Sequence, residues 1–462
     1  VTNQPLNIRK KDSTAILQSL GSGVVPRTGL EHIVVGRAAE IRQMIKELEN
    51  VAEGAAAVKF LAGSFGSGKS FLLALIRQIA LAKKFVVAEA DFSPDRRLYG
   101  EGKGVATYTA LMNGLTTQSR PDGQALPAII ERWISQVQTE VANREGLAGV
   151  AFDDPAFVTK VQAQIRSILT QIEGLTGGFD FAEVVNAYYR GYAQDNEELT
   201  RSALRWLRAE YKARSDARRD LGVRGIIDDA NWYDHLKVFA SFVTQIGYAG
   251  LVVELDEAIN LYKISHAQNR SKNYEVILNI FNDAQQGRAG HVYLVFAGTP
   301  EFISDERRGL SSYEALKRRI QTNPFETEVF RDLEQPVMTI PPLLPEELLT
   351  LLLKLRTIHS CHHGVEPLVA EAQVQTFLAQ LLSRPGARQY LTAGDVVRSF
   401  LHALNLLQQN PNMDRTAVFT GAAQEAEEHS RAARLTLKEQ EQEPTEENQG
   451  EVPPLGRFHV KH

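Results

Sequence analysis

Eight consecutive residues, Gly63-Ser64-Phe65-Gly66-Ser67-Gly68-Lys69-Ser70, limit the possible folds of this 462-residue chain more than any other stretch. They satisfy the pattern G-x-x-x-x-G-K-[ST] at every position. The run Val58-Lys59-Phe60-Leu61-Ala62 before them reads as a short buried strand, and Phe71-Leu72-Leu73-Ala74-Leu75-Ile76 opens an apolar helix. A strand, a glycine turn and a helix N-terminus gather backbone N–H groups and the positive end of a helix dipole around one point, which makes an anion site. The expected ligand is a nucleoside triphosphate cradled from Gly63 to Phe71. Lys69 is expected to reach its β- and γ-phosphates, and Ser70 to hold Mg²⁺.

A P-loop needs a carboxylate partner at the end of another strand. Leu251-Val252-Val253-Glu254-Leu255-Asp256-Glu257 supplies it: an apolar strand ending in Asp-Glu, the Walker B form. Asp256 is the expected second Mg²⁺ holder, through water. Glu257 is expected to orient and polarise the attacking water. Further strands are expected at Phe85-Val86-Val87-Ala88-Glu89-Ala90-Asp91, at His291-Val292-Tyr293-Leu294-Val295-Phe296-Ala297 and at Val337-Met338-Thr339-Ile340. Thr299 follows the second of these runs. It is expected at the carboxyl edge of the sheet near the γ-phosphate, the alternative being a turn or cap hydroxyl. Val35 and Gly36, before a helix running to about residue 53, are candidates to line an adenine pocket; a helix simply packed on the core is the other reading.

The length exceeds one ordinary core, so two or three domains are expected. Hydrophobic residues are 43% and charged residues 23%, a globular balance. Residues 105–247 read as helical with breaks at Pro121, Pro155 and 174–178. Asp256 lies farther from Lys69 than a bare βαβ unit requires, so 121–231 is expected to be a helical insertion. The expected division is an N-terminal segment with the adenine-side helix at 1–50, a P-loop core at 51–342, a lid at 343–412 and an acidic tail at 413–462, disordered apart from a helix near 424–441. Residues 421–462 carry −4 of the net charge of −5. With one cysteine, Cys361, no intramolecular disulfide can form. No apolar run reaches membrane-spanning length, and no basic-then-apolar leader pattern opens the chain, so a cytoplasmic location is expected.

A nearly neutral body leaves any nucleic-acid contact to local patches. Two are candidates: Arg96, Arg97 and Lys103 in the loop after the second strand, and Arg201, Arg205, Arg208 and Lys212, whose spacing predicts one helix face with Trp206 nearby. A solvated face is the competing reading. His359, Cys361, His362 and His363 are too crowded for the usual spaced zinc ligands.

Together these motifs resemble an AAA+ ATPase of the initiator or origin-recognition type. The likeness rests on Val35-Gly36-Arg37 with Glu40-Ile41, on the Walker A run at 63–70 and on the Walker B run at 251–257. It implies that Thr299 is sensor 1 and that Arg319, with Arg318 beside it, is an arginine finger. The chain is more closely similar to the BrxD-like ATP-binding proteins of BREX-type phage-defence systems, over about residues 15–405. The carrying stretches are Ser22-Gly23-Val24-Val25-Pro26, the run from Gly63 to Leu73, and Leu391-Thr392-Ala393-Gly394-Asp395-Val396-Val397-Arg398. The resemblance implies an α/β fold: a three-layer P-loop AAA+ core with a parallel sheet, a helical insertion and a helical or winged-helix lid. It also implies ATP and Mg²⁺ as cofactors, ATP hydrolysis, a homo-oligomer built through the nucleotide interface, and action on DNA or on a helicase, nuclease or methyltransferase partner. A nucleotide-dependent scaffold with little turnover is the alternative, and a small-molecule kinase is disfavoured by Asp256-Glu257. One departure stands out. The family often has Pro-Arg where this chain has Gly394-Asp395, so either Arg388 or Arg398 substitutes for the positive charge of sensor 2 or the lid loses that coupling to the nucleotide.

Overall fold

The computed structural model describes residues 7–146, 153–321, 323, 325–326, 331–384, 386–387 and 391–442. Five parallel strands form its sheet: β1 Ala56–Ala62, β2 Val86–Asp91, β3 Leu251–Asp256, β4 Val292–Gly298 and β5 Val337–Thr339. Their order is β2-β3-β4-β1-β5. These runs are apolar nearly throughout because both faces of the sheet are covered by helices. The two-residue period sorts the side chains. Phe60, Val253, Leu255, Leu294 and Phe296 face the layer holding helices Lys103–Asn113, Trp232–Gln245 and Ala267–Gln285. Leu61, Val87, Val252, Tyr293 and Val295 face the layer of helices Ala38–Ala52 and Lys69–Ala82. The register brings the carboxyl ends level: Ala62 lies beside Gly298, and Asp91 beside Asp256. Ligands of open α/β sheets bind at that edge.

The helices between β2 and β3 do not build a core of their own. Trp133 and Phe181 each meet the ring of Phe242 edge-on at 5.3 Å, and the apolar cluster continues unbroken to the sheet. The N-terminal segment divides. Ile16 and Leu17 of helix Lys10–Gly21, with Leu30 and Ile33, pack into the lid, whereas Met44 and Leu48 pack under the sheet.

The lid region is helical, with Pro345–His363, Glu371–Leu382 and Ala393–Gln409; among the described residues of 343–442 there is no strand. The expectation of a tail disordered from residue 413 except for a helix near 424–441 is corrected in extent: the helix begins at Arg415. Helix Arg415–Gln442 packs on the lid with Val418, Phe419, Ala422, Ala423 and Ala426 buried. The ring of Phe419 lies 5.4 Å from Phe377 and 5.8 Å from Phe400. Apolar residues recurring every fourth position form a stripe, and the acidic composition of the other face hides it. Residues 443–462, including the basic-aromatic 457–462, lie outside the described residues. No described helix is long and apolar enough to cross a membrane.

Candidate nucleotide site

The P-loop leaves β1 stitched to its neighbour: Gly63 N–H donates to the Gly298 carbonyl at 3.1 Å. A side chain at Gly63 would collide with Ser67 Oγ and the Ile340 carbonyl. Gly68 takes φ +94°, which strongly favours glycine, and the helix Lys69–Ala82 starts directly after it. Lys69 Nζ donates to the carbonyls of Gly63 (2.7 Å) and Ser64 (3.0 Å). Burial lowers its pKa, against the opposing pull of Asp256, Glu257 and Glu301. Ser70 Oγ donates to Asp256 Oδ2 at 2.9 Å, so the two residues expected to share a metal meet across 186 positions of sequence.

Asp256 Oδ1 also accepts the backbone N–H of Glu257 at 2.7 Å. Glu257 adopts φ +57°. A left-handed glutamate costs about 1–3 kcal/mol, and strain of that kind gathers at functional sites. Lost hydration raises the Glu257 carboxyl first, and the neighbouring charges of Asp256 and Asp91 raise it further. Thr299 follows β4 at the same edge. Its hydroxyl does not cap helix Pro300–Ser304, and Thr299 Oγ1 is buried with no hydrogen-bond partner among the described residues. Ser67 Oγ is in the same condition. Orphaned hydroxyls, a glycine cradle, a lysine and paired carboxylates at one edge fit a metal-bound nucleoside triphosphate.

Five residues not assigned to the site from the sequence belong to this edge. Arg37, 5% exposed, donates through Nη2 to the Ser67 carbonyl (3.0 Å) and the Pro341 carbonyl (2.5 Å), bracing the P-loop from behind. Glu40 lies 3.8 Å from it and pairs with Arg331 at 2.8 Å. Asp91 ends β2 opposite Asp256. Glu254, on the same face of β3 as Asp256, is buried; desolvation holds its carboxyl well above the usual range, and Glu89 adds to this. Thr392 of the lid lies on Gly66: a Cβ there would sit 2.5 Å from Thr392 Cβ. Only Arg37 and Glu40 carried a local signal, a basic residue straight after Gly36 with an acidic one three positions on. The other three depend on strand register or on distant chain.

The remaining candidates are more dispersed. Val35 is half-buried; Gly36 takes φ +64°, and a side chain there would collide with the Glu347 carboxylate at the start of the lid. Phe65 is exposed, and Phe71 packs toward the lid cluster. Arg318 and Arg319 are exposed on helix Glu314–Ile320. Arg319 donates to Asn282 Oδ1 (2.9 Å) and the Ala315 carbonyl (2.8 Å), and Arg318 pairs with Glu314 at 3.1 Å. These partners belong to their own helix and to Ala267–Gln285, not to the P-loop.

The basic stripe is not one helix face. The helix Glu197–Leu207 stops before Arg208, and Ala209 turns at φ +60°, so Lys212 leaves on a different path. Trp206 is buried and donates to the Gly225 carbonyl at 2.9 Å, so it offers no stacking face. Arg201 pairs with Glu197 at 3.7 Å, and Arg205 lies over the Tyr211 ring at 4.5 Å. In the other loop Arg97 is buried at 4% exposure and cannot meet a polymer there; Arg96 and Lys103 are half-buried. His359 shares a hydrogen bond with Asn405 at 3.1 Å and stacks near His363. Of the two sensor 2 substitutes, Arg398 is held by Asp395 at 3.1 Å, and Arg388 lies outside the described residues.

A family model described as "BREX system ATP-binding protein BrxC/D" matches residues 8–422, spanning the sheet, the insertion and the lid. No curated protein matches the chain.

Proposed function

The chain belongs to the BREX-system ATP-binding family BrxC/D, which gives it a role in phage defence, and from that premise we propose that it is an ATPase working at the carboxyl edge of its sheet. One observation carries the reading: Ser70 and Asp256 joined at 2.9 Å, with Glu257 the next residue. Mg²⁺–ATP, when bound, supplies an electrophilic γ-phosphorus and a partly neutralised triphosphate. Lys69 and the backbone of residues 63–70 would hold the phosphates, and Ser70 and Asp256 the metal. Glu257 orients a water and accepts its proton at the carboxylate, and Thr299 Oγ1 donates at the developing charge. Arg319, with Arg318 beside it, is exposed and reaches a neighbouring subunit's nucleotide in an assembly built through that interface.

The work done by the cycle is on DNA or on a helicase, nuclease or methyltransferase partner. Arg201, Arg205 and Lys212 are exposed and suit phosphate contacts that repeat through assembly. A second reading is a switch with little turnover. It draws support from Asp395, which stands where the related proteins often carry arginine and brings a negative charge to the lid.

The test is nucleotide binding and phosphate release, with and without DNA. Lys69→Ala is expected to lose binding; Glu257→Gln is expected to keep it and lose turnover. A wild-type rate as low as that of Glu257→Gln would put the switch ahead. Arg319→Ala should bind ATP and hydrolyse it poorly, and mixing it with Lys69→Ala should restore part of the activity.

A further inference from the structure

We infer that Ser430 is a positioning residue of the nucleotide site, acting from the C-terminal helix through Asp395 and Thr392 on the P-loop glycine Gly66. The inference rests on the reading that residues 63–70 hold the nucleotide. Its starting point is the closeness of Thr392 to Gly66, where a Cβ would sit 2.5 Å from Thr392 Cβ and 2.7 Å from Cγ2. Thr392 is therefore a wall of the phosphate loop supplied by the lid.

Its position is set by a closed set of hydrogen bonds. Thr392 N-caps helix Ala393–Gln409, its Oγ1 accepting from Asp395 N–H at 3.1 Å. The same hydroxyl donates to Asp395 Oδ2 at 2.6 Å. Ser430 Oγ donates to that oxygen at 2.7 Å and accepts the Thr392 backbone N–H at 3.4 Å. Arg398 holds the other oxygen, Oδ1, at 3.1 Å. Ser430 is 1% exposed and lies 38 positions from Thr392, on helix Arg415–Gln442.

The geometry has two consequences. First, Asp395 does here what an arginine at its position cannot: as an acceptor it binds Thr392, Ser430 and Arg398 together. The departure at Gly394-Asp395 is then an exchange of a phosphate-directed charge for a lid brace. Second, the approach of Thr392 to Gly66 depends on how the C-terminal helix is seated. Anything that shifts that helix moves the wall of the phosphate loop, and by linkage nucleotide in the loop must tighten the helix.

The experiment uses the full chain and a fluorescent ATP analogue. Ser430→Ala and Thr392→Val each remove hydroxyl bonds while keeping most of the local shape. Each is expected to weaken nucleotide affinity about two- to tenfold, the range of one net hydrogen bond, and the double variant is expected to be no weaker than the worse single one. A purely structural Ser430 would lower the melting temperature and leave affinity unchanged, and that result overturns the inference. Hydrogen exchange on the wild-type chain is the second measurement, needing no variant to fold. ATP is expected to slow exchange at residues 426–432 as well as at 63–70. Protection confined to 63–70 overturns the inference and leaves the nucleotide site standing. Lys69→Ala binding as tightly as wild type removes the nucleotide site itself, and the inference with it.

Discussion

The carboxyl edge of the sheet and the exposed cations of helix Glu197–Leu207 differ in how their polar groups are met. At the edge, Thr299 Oγ1 and Ser67 Oγ are buried without partners among the described residues, and Glu257 sits at positive φ. On the helix, Arg201 has Glu197, Arg205 has the Tyr211 ring, and Tyr211 has Asp220 at 2.9 Å; only in the turn after it is Arg208 Nε buried without a partner among the described residues, next to Ala209 at φ +60°. Unmet hydrogen-bonding capacity and strained backbone cost stability, so where several coincide with a P-loop and its carboxylates a ligand is the natural compensation. Charges already satisfied by neighbours need no ligand to explain them. A motif with unmet groups is thus better evidence of a site than a cluster of like charges.

The comparison breaks first if the strained edge proves chemically idle. Glu257→Gln is expected to lose about 10²-fold or more in turnover, the range for removing a positioned general base. Phosphate release alongside nucleotide binding checks it, and an unchanged rate would separate strain from function.

Next in size is a stability effect in helix Trp232–Gln245, which follows the insertion. Burial lowers His235 to a pKa of about 4, and its side chain is 3% exposed. The folded state keeps this ring neutral while the unfolded chain protonates it near the usual value. Stability is therefore fully present above about pH 6.5 and falls as pH drops toward about 4, by up to about 3 kcal/mol. Melting curves across that range, for wild type and His235→Leu, test it; the variant should lose this share of the acid sensitivity.

Thr299→Val sharpens the contrast more finely. Removing an unpartnered buried hydroxyl should leave the melting temperature unchanged or raise it, while turnover falls about tenfold. If Thr299 belonged to the satisfied class, the same substitution would destabilise the fold and spare the rate. The smallest effect is expected at Arg201→Ala. Its exposed pair with Glu197 should change stability by less than about 0.5 kcal/mol. Any phosphate contact it makes should appear as a drop of about one unit in the salt slope of DNA binding by fluorescence anisotropy.

What the sequence made legible was chemistry encoded in adjacent residues. The P-loop turn is specified by Gly63, Gly66 and Gly68 with Lys69 and Ser70, and the end of β3 by an apolar run meeting Asp256-Glu257. The five strands were readable for the same reason, as short apolar runs between turns. Asp91 was not, because its meaning lies in register: only pairing β2 with β3 sets it beside Asp256. Thr392 was hidden by its distance from Gly66 along the chain. The basic stripe misled because no glycine or proline marks the turn at Ala209, so helical spacing was carried past the helix end. The first turns of the C-terminal helix, before the stretch near 424, were masked by composition, the acidic face outweighing the stripe from Val418 to Ala426.

The strand order has a consequence for how the protein is made. β1 carries the P-loop, yet neither neighbour exists when it leaves the ribosome: Ala56 pairs with Val292, and Phe60 with Val337. At about 5–20 residues per second, the strand waits on the order of 10–50 s for β4 alone, with both apolar faces and both edges unmet. Throughout that interval the nascent chain presents an uncovered β-edge and a run of Phe, Leu and Val to its surroundings. The long insertion between β2 and β3 is the main source of the delay. Shortening it should hasten productive folding during translation more than any change in the sheet itself.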